Sequence, residues 1–374
     1  MNAEHRRLKL IEPVVGKEEL QMIQKVLESG WLTEGKVTEE FEASVRKFTG
    51  AKYAVATTSC TTALEISLRA LQIGPGNEVI VPDFTHPATA DVVRLVGAEP
   101  VLVDVEPHSY NIDMKEVKKA ITNKTKCIIP VSWGGNPLNC ELLDEVKREY
   151  GLSIVEDAAC GLGAEYGGKK TGTMADITCF SFHPRKLVTT GEGGMITTDN
   201  EELATEIRSL KTFGMRTTKE SKSFERIGTN YKLSDVLAAI GVAQMRKIDK
   251  IIARRIELAN EYTRLLAKTD FMRPPMKDKN AKHVYQTYAA YLEIDGIRDR
   301  IIADLNKQNV ETQIGTYALH LQPAFRNARK IGNLEIADKL YRNLIALPMF
   351  HSMKAKDQEF VISKIEEMKD AYKR

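Results

Sequence analysis

The stretch Cys179-Phe-Ser-Phe-His-Pro-Arg-Lys-Leu-Val-Thr-Thr-Gly-Glu-Gly-Gly194 says most about how this chain folds. It begins inside an apolar run, residues 177–182, that is typical of a buried β-strand, and a polar turn with Lys186 follows. An amine at the end of a buried strand is costly to desolvate unless it is neutral or bonded. This setting suits a lysine that forms a Schiff base, although a surface loop with an ordinary lysine gives the same pattern.

Similar apolar runs recur at regular intervals upstream, with helical patterns between most of them. These runs are residues 53–57, 78–81, 100–104, 126–131 and 152–156. Strands that alternate with helices form βαβ units, which build a mostly parallel sheet with helices on both faces. The sequence therefore predicts an α/β fold with three layers.

The pattern changes after residue 198. Residues 234–268 are predicted to form a helix with a bend near Asp249 and Lys250, and a closing amphipathic helix is predicted at 358–372. We therefore predict a large domain at 14–248 and a smaller α+β domain at 249–374. Residues 1–13 are expected to pack on the smaller domain.

The 374 residues carry 54 basic and 51 acidic side chains, which leave a net charge of +3. This balance argues against a general nucleic-acid-binding protein. The five cysteines form no CxxC pair, so a zinc site is not expected and we assign no metal. The odd cysteine count, the lack of a signal peptide and the lack of an apolar run of about 20 residues indicate a cytoplasmic protein that does not enter a membrane.

Polar side chains follow several of the predicted strands. In open parallel sheets, ligands bind beyond the carboxyl ends of the strands. The segments in question are 59–62, 83–86, 157–160 and 181–186. We therefore expect these four segments to meet at one edge of the sheet.

Two of the segments have more than one interpretation when taken alone. Ser59-Cys60-Thr61-Thr62 opens a predicted helix, where N–H groups and hydroxyls bind phosphate, but Ser and Thr are also the commonest N-caps. Asp157 ends a buried strand, so its carboxylate needs a partner. It is a metal ligand, a helix cap or the counter-ion of a protonated ring nitrogen, and the metal ranks last because no second ligand stands at a suitable spacing.

Taken together, these features indicate a site for pyridoxal 5′-phosphate (PLP). Lys186 would bind the aldehyde, Asp157 would keep the pyridine nitrogen protonated, and the helix N-terminus would hold the phosphate. An aromatic ring at a strand end would stack on the cofactor.

Specific motifs accompany this set. Residues 181–194 contain Ser-Phe-x-x-x-Lys followed by Gly-Glu-Gly-Gly, and Gly228-Thr-Asn-Tyr231 is an independent second motif. With these motifs the chain resembles the DegT/DnrJ/StrS family of sugar aminotransferases over nearly its whole length. The resemblance implies a fold type I aminotransferase, with a three-layer PLP-binding domain and a smaller C-terminal domain. Further matching segments are 29–35, 61–64, 74–82, 111–113, 156–159, 234–235, 238–241 and 320–325.

The resemblance implies roles for the cofactor-binding residues. Lys186 would be the Schiff-base lysine, and Asp157 would pair with the pyridine nitrogen. The backbone of Cys60 and Thr61 and the hydroxyl of Ser181 would hold the phosphate.

The same resemblance assigns three further positions around the cofactor. His86 would stack on the ring, where the family more often has Phe, Tyr or Trp. Cys160 stands near the phenolic oxygen, where the family often has Gln, His or Glu. Asn230 would reach the phosphate from the neighbouring subunit, so an active homodimer is expected.

The resemblance also places a group of residues on the substrate side. For the two histidines among them, a hydrogen-bonded packing role is the alternative. The segment 315–320 lacks the prolines that the family has there, which affects sugar contacts. The substrate-side residues are Trp31, Thr33, His183, Tyr231, Tyr317 and His320.

The predicted reaction moves an amino group, from L-glutamate, to a keto-sugar nucleotide. Lys186 would act as nucleophile and general base, so we expect its pKa to be depressed. The family branch that deoxygenates sugars has histidine at this position, which argues against that reaction. Two alternatives are an aminotransferase for another cyclic ketone, such as a keto-inositol, and a non-catalytic PLP-binding regulator.

Overall fold

The computed structural model describes residues 7–217 and 221–372, so the predicted packing of residues 1–6 and the end of the predicted small domain lie outside the described residues. The helices are α1 (Lys17–Ser29), α2 (Lys36–Thr49), α3 (Cys60–Ala70), α4 (Ala88–Leu95), α5 (Met114–Ala120), α6 (Cys140–Tyr150), α7 (Glu201–Leu210), α8 (Asp235–Met245), α9 (Ile248–Leu266), α10 (Arg298–Lys307), α11 (Glu335–Asn343) and α12 (Ala355–Tyr372). The strands of the first two hundred residues are β1 (Tyr53–Thr57), β2 (Glu78–Pro82), β3 (Phe84–Thr85), β4 (Glu99–Val103), β5 (Thr125–Ile128), β6 (Ser153–Asp157), β7 (Glu165–Tyr166), β8 (Lys169–Lys170), β9 (Ile177–Ser181) and β10 (Gly194–Thr198). The later strands are β11 (Met215–Thr217), β12 (Lys222–Phe224), β13 (Met272–Arg273), β14 (Ala281–Lys282), β15 (Ala289–Leu292), β16 (Gln313–Ile314), β17 (Tyr317–Ala318), β18 (Arg329–Lys330) and β19 (Leu344–Ala346).

The central sheet has the strand order β1-β10-β9-β6-β5-β2-β4-β18. Neighbouring strands are parallel except at β10, which runs antiparallel to both β1 and β9. The apolar runs that predicted these strands are buried on both faces, as a parallel sheet between two helical layers requires. The predicted α/β class with a mostly parallel sheet is confirmed.

Helices cover both faces of this sheet, and alternate residues of β1 pack on different sides. Val55 belongs to the core under α3, α4 and α7, whereas Ala54 and Ala56 belong to the core under α2 and α8. Further along that second face, α5 and α6 bury Val117 and Leu143. Each such fully buried aliphatic side chain contributes about 1.5–3 kcal/mol to folding, so the three layers hold each other in place.

A second core lies in the later part of the chain. The antiparallel sheet β13-β15-β19-β16 packs against α9, α10 and α12, and the rings of Tyr262 and Tyr288 stack there at 5.1 Å. Leu8 is buried in this core, and its N–H donates to the carbonyl of Asn309 at 2.8 Å. The described end of the N-terminal segment therefore lies against the second core.

Helix α9 passes from one core into the other. Ile251 packs in the core under α2 and α8, Leu258 packs in the second core, and Ile256 contacts both. The bend predicted near Asp249 and Lys250 is wrong by a few residues, because α8 ends at Met245 and α9 begins at Ile248.

Three short strands from the later part of the chain pair with strands of the first part. These pairs are β14 with β7, β17 with β3 and β18 with β4. Segments from both sides of the proposed boundary at 248/249 therefore share sheets, and that boundary stays a prediction. Across residues 7–217 and 221–372, the helices are all too short or too polar to cross a membrane.

Candidate active site

Four predicted site residues meet at the carboxyl edge of the sheet, namely Cys60, Asp157, Cys160 and Lys186. Asp157 and Cys179 are opposite each other in the β6–β9 register, which aligns the two strand ends. Beyond β9 the chain turns, with the N–H of Lys186 bonded to the carbonyl of His183 at 2.9 Å. The Lys186 amine then reaches back over β6 and donates a hydrogen bond to Cys160 Sγ at 3.2 Å.

Opposing effects act on the Lys186 amine. Burial lowers its pKa, but the neighbouring Cys160 sulfur, Asp157 and Cys60 raise it, and the net shift is upward. The prediction of a depressed pKa is therefore wrong for the free amine, because Cys160, Asp157 and Cys60 together raise the pKa by more than burial lowers it. Covalent attachment of an aldehyde at this amine requires that it first lose its proton.

Asp157 is held by two donors. Its Oδ2 accepts a hydrogen bond from the Thr89 hydroxyl at 2.8 Å, and its Oδ1 accepts one from the Ala159 N–H at 3.1 Å. The side chain is buried, so these bonds offset part of the cost of removing a charge from water. In the part of the chain that the structure describes, no group of three or more His, Cys, Asp or Glu side chains is suited to a metal ion.

The start of α3 has an N-cap and two further N–H groups that have no partner within the helix. Ser59 is the cap, since its Oγ accepts from the Thr62 N–H at 3.1 Å while Thr62 Oγ1 accepts from the Ser59 N–H at 3.0 Å. Cys60 and Thr61 open the helix, so their N–H groups have no carbonyl partner within it. Burial and the nearby Asp157 raise the pKa of the Cys60 thiol.

Gly194 allows the strand β10 to pass beside this helix start. A Cβ at position 194 would lie 2.3 Å from the carbonyl oxygen of Ser59, which is closer than any real side chain sits. The Gly-Glu-Gly-Gly motif thus has a steric reason, because any larger residue would push β10 away from the start of α3.

Ser181 and His183 occupy the turn before Lys186. Ser181 Oγ accepts from the His183 N–H at 3.4 Å, and His183 Nδ1 accepts from the Arg185 N–H at 3.1 Å. Burial, with the charges of Lys186 and Arg185, lowers the pKa of His183, although Glu192 lies 3.9 Å away. His183 is therefore partly a turn residue, and its Nε2 faces an exposed carboxylate.

His86 stands at the rim of the site. It is exposed, and its Nδ1 accepts from the Ala88 N–H at 3.2 Å. Partial burial and the charge of Lys186 lower its pKa, and this outweighs the opposite effect of Asp157. His86 is therefore close enough to Asp157 and Lys186 for their charges to act on its ring.

Trp31 and Thr33 lie in the exposed loop between α1 and α2. The Trp31 indole N–H donates to the Glu34 carbonyl at 3.3 Å, which folds the ring back onto its own loop. Glu34 in turn accepts from the buried amine of Lys211 at 2.8 Å. The loop is thus tied to α7 and the strand layer rather than free.

Asp235 anchors the other end of this loop. Its Oδ1 accepts from the N–H groups of Gly35 at 2.8 Å and Thr38 at 2.9 Å, and its own N–H donates to the carbonyl of Leu32 at 3.2 Å. A carboxylate at the first turn of α2 also complements the helix dipole.

Asn230 and Tyr231 make their side-chain hydrogen bonds to residues outside the Lys186 cluster. Asn230 is exposed, and its side-chain oxygen accepts from the Lys232 amine at 2.6 Å. The Tyr231 hydroxyl donates to Glu65 at 2.8 Å, and burial with this contact raises the pKa of Tyr231 to about 12. Tyr231 is therefore bound to α3, and the side chain of Asn230 contacts Lys232 rather than the cluster around Lys186 of its own chain.

Tyr317 and His320 reach the site edge through β17. Tyr317 pairs with Thr85 in the β17–β3 register and is partly exposed. The ring Nδ1 of His320 lies 2.6 Å from Asp83 Oδ2, and its backbone N–H donates to Asp83 Oδ1 at 2.8 Å. Burial raises the pKa of Asp83, although the His320 contacts oppose this effect.

Sequence reasoning assigned no role to four polar side chains that hold the predicted ones. Thr89, Asp83, Glu65 and Asp235 all take part in the contacts above. The available signal was position, since Asp83 directly follows a strand and Thr89 lies four residues after Thr85, one helical turn further. Their partners are distant in sequence, so spacing alone could not assign them.

Comparison with known proteins agrees with this geometry. The model of the DegT/DnrJ/EryC1/StrS aminotransferase family matches residues 13–366. The chain belongs to this family.

Its relatives include curated proteins of nearly equal length. It is 34% identical to the spore coat polysaccharide biosynthesis protein SpsC of Bacillus subtilis, with 95% of each chain covered. It is 33% identical to the GDP-perosamine synthase of Caulobacter vibrioides, over 97% of this chain and 98% of the relative. The putative sugar aminotransferase Spr1654 of Streptococcus pneumoniae superimposes with a TM-score of 0.93 at 28% identity, covering 99% of this chain and 100% of that one.

The aminotransferase therefore has the predicted fold type I architecture and depends on PLP. Spr1654 has been solved in both the PLP form and the pyridoxamine form. The residues at the sheet edge fit this cofactor, since an amine, a buried carboxylate and two open helix N–H groups lie together. The predictions of the family, the enzyme class and the cofactor are confirmed.

Proposed function

We propose that this aminotransferase moves an amino group from L-glutamate to the keto carbon of a nucleotide-linked keto-sugar. The observation that carries the site assignment is the Lys186 amine, which lies 3.2 Å from Cys160 and close to the Asp157 carboxylate at one sheet edge. The names of the relatives support a sugar substrate, because they include a GDP-perosamine synthase, a coat polysaccharide protein and a putative sugar aminotransferase.

The cofactor roles follow from these positions. Bound PLP supplies an electron sink that stabilises negative charge on the carbon beside the transferred nitrogen. Asp157 would pair with the pyridine nitrogen and keep it protonated. The N–H groups of Cys60 and Thr61, with the Ser181 hydroxyl, would bind the phosphate at the positive end of α3.

Lys186 has two tasks in this proposal. Its amine would hold the cofactor covalently at rest and, once released, would accept a proton from the α-carbon of the donor. In the half-reaction with the sugar, the same amine would return a proton to the carbon that receives the amino group. Cys160 would hold the phenolic oxygen, and His86 would stack on the cofactor ring.

The substrate enters across the rim of the site. We place it among Trp31 and Thr33 of the α1–α2 loop, His183 of the turn, and Tyr231, Tyr317 and His320. Asn230 is exposed in its own chain, and we propose that it binds the phosphate of a second subunit in a homodimer.

The first experiment tests the lysine. Lys186→Ala is expected to lose the visible absorbance of covalently attached cofactor and all turnover. The matched control is Lys119→Ala, which removes an exposed pair with Glu116 on α5 without touching the amine cluster. Turnover by Lys186→Ala at the parent rate would overturn the assignment.

The second experiment tests the substrates. L-Glutamate alone should convert the PLP form to the pyridoxamine form, and a panel of keto-sugar nucleotides should convert it back. Recovery by a keto-inositol but by no sugar nucleotide would favour the alternative substrate. No conversion by any amino donor would favour a PLP-binding regulator.

A further inference from the structure

Two buried hydroxyls stand in a row behind the Asp157 carboxylate. Thr89, the second residue of α4, has its Oγ1 2.8 Å from Asp157 Oδ2. Thr85, on β3, has its Oγ1 2.9 Å from Thr89 Oγ1. Both threonines are at most 2% exposed, so water does not compete for these bonds.

The direction of the hydrogens in this row is fixed. Each hydroxyl has one hydrogen to donate, and a carboxylate oxygen only accepts. Thr89 therefore gives its hydrogen to Asp157, which leaves its own oxygen as the acceptor for Thr85. Hydrogen bonds in such a row polarise one another, so the bond to Asp157 is stronger than that of a single hydroxyl.

Both threonines sit on backbone that is held in place. Thr85 pairs with Tyr317 between β3 and β17, and the N–H of Thr89 donates to the carbonyl of His86 at 3.1 Å. On the other side of the carboxylate, the Ala159 N–H fixes Oδ1. The plane of the carboxylate is thus set from both oxygens by donors that cannot move.

We propose that Thr89, oriented by Thr85, is a positioning residue that aims the Asp157 carboxylate at the pyridine nitrogen of the cofactor. This inference rests on the role of Asp157 in the proposed function. Thr89 touches neither substrate nor cofactor in this arrangement, and it acts through Asp157 alone.

The test replaces the hydroxyl by a methyl group of the same size. Thr89→Val should weaken PLP binding to the apoprotein and slow the half-reaction with L-glutamate by about 10- to 100-fold, as the loss of outer hydrogen-bond partners does elsewhere. Thr89→Ser keeps the hydroxyl and should restore both within a few-fold. Thr197→Val is the matched control. Thr197, on β10, is also buried, but its hydroxyl donates to the Gly172 carbonyl, so this variant should leave PLP binding and the half-reaction unchanged.

The NMR signal of the cofactor's ring nitrogen distinguishes a loss of positioning from a general destabilisation of the fold. With ¹⁵N-labelled PLP, the ring-nitrogen resonance of Thr89→Val should move toward that of an unprotonated pyridine, whereas that of Thr197→Val should stay in place. If Thr89→Val does not fold, Thr85→Val provides the same measurement, since Thr89 stays in place and loses only the donor that orients it. The resonance should then move in the same direction by a smaller amount.

Three outcomes would overturn the inference. The first is an unchanged nitrogen resonance and an unchanged PLP affinity in Thr89→Val. The second is equal impairment in Thr89→Ser and Thr89→Val. The third, where only Thr85→Val folds, is an unchanged resonance in Thr85→Val. Asp157→Asn separates this failure from that of the proposed function. If Asp157→Asn is inactive while Thr89→Val is normal, only the role of Thr89 fails, whereas a fully active Asp157→Asn would overturn the site assignment itself.

Discussion

At the scale of single residues, the least expected contact joins Lys186 to Cys160. The resemblance placed Cys160 near the phenolic oxygen of the cofactor, and it gave no reason to expect a bond to the lysine. In the protein without ligand, the sulfur raises the pKa of the amine that must become neutral before it reacts. We therefore expect the thiol to affect how readily Lys186 attaches the cofactor.

Cys160→Ser should make cofactor attachment possible at lower pH. The Cys160 sulfur is one of the groups that raise the pKa of Lys186, so its replacement should lower that pKa. The rate of appearance of covalently attached PLP, measured against pH, should have a lower midpoint in the variant than in the parent. Cys140→Ser, at a buried thiol packed against Tyr166 and Met174, is the control. Equal midpoints for Cys160→Ser and the parent would contradict this account.

At the scale of elements, the start of α2 controls the loop on the substrate side. Asp235 holds the N–H groups of Gly35 and Thr38 and is itself buried. Lys211 holds Glu34 from the opposite side. The loop with Trp31 and Thr33 is thus positioned by α2, α7 and α8 together.

Asp235→Ala should lower the free energy of unfolding by about 1–3 kcal/mol, because it removes a helix cap and leaves buried N–H groups without acceptors. It should also raise the KM for the keto-sugar more than that for the amino donor. Asp338→Ala is a suitable control, since it removes an i,i+4 pair with Arg342 on the surface that is worth about 0.3–0.5 kcal/mol. Denaturant titration and steady-state kinetics give both quantities, and equal losses in the two variants would refute the capping role.

The elements also show which parts of the fold can be predicted from the sequence. Continuous apolar runs predicted the strands β1, β2, β4, β6 and β9 almost to the residue, because a strand buried on both faces has a distinctive composition. The two-residue strands β14, β17 and β18 had no such signal, since distant partners alone define them. The same limit left Thr89 and the contacts of Asp83 unassigned, whereas strand ends and a family motif mark Lys186 and Asp157 as candidates.

At the scale of the whole molecule, the proposed homodimer makes a quantitative prediction. Lys186→Ala and Asn230→Ala should each be inactive or nearly so, yet they damage different subunits of one site. When the two are unfolded and reassembled in equal amounts, half of the dimers are mixed and each has one intact site, so about a quarter of the parent activity should return. No recovery in dimers that have demonstrably exchanged subunits would show that Asn230 serves its own chain.

Glu156 links the stability of the whole protein to pH. Its carboxyl group is fully buried in the central sheet, where Ser132 and Thr178 donate to it, and burial raises its pKa to about 7. Because the pKa is higher in the folded state than the ordinary 4.5, this residue's stabilising contribution is complete below about pH 4.5 and is lost as the pH rises through about 7.

Glu156→Gln cannot ionise and should remove this dependence. Between about pH 5 and 8, the variant should gain stability relative to the parent by up to about 3 kcal/mol, as a shift of this size implies. Unfolding by denaturant at several pH values measures the difference. A constant difference across this range would contradict the assigned pKa, and Glu165→Gln, at a partly exposed carboxylate paired with Lys282, serves as the control.

Strand β18 has a further consequence for how the chain is made. It covers the outer edge of β4, yet it follows β4 by about 230 residues, which a ribosome adds in about 10–45 s. Throughout that interval the nascent chain carries an open strand edge, the kind of surface on which neighbouring chains aggregate. The two charged residues of β18 then close that edge and leave Arg329 and Lys330, rather than apolar strand, as the border of the finished sheet.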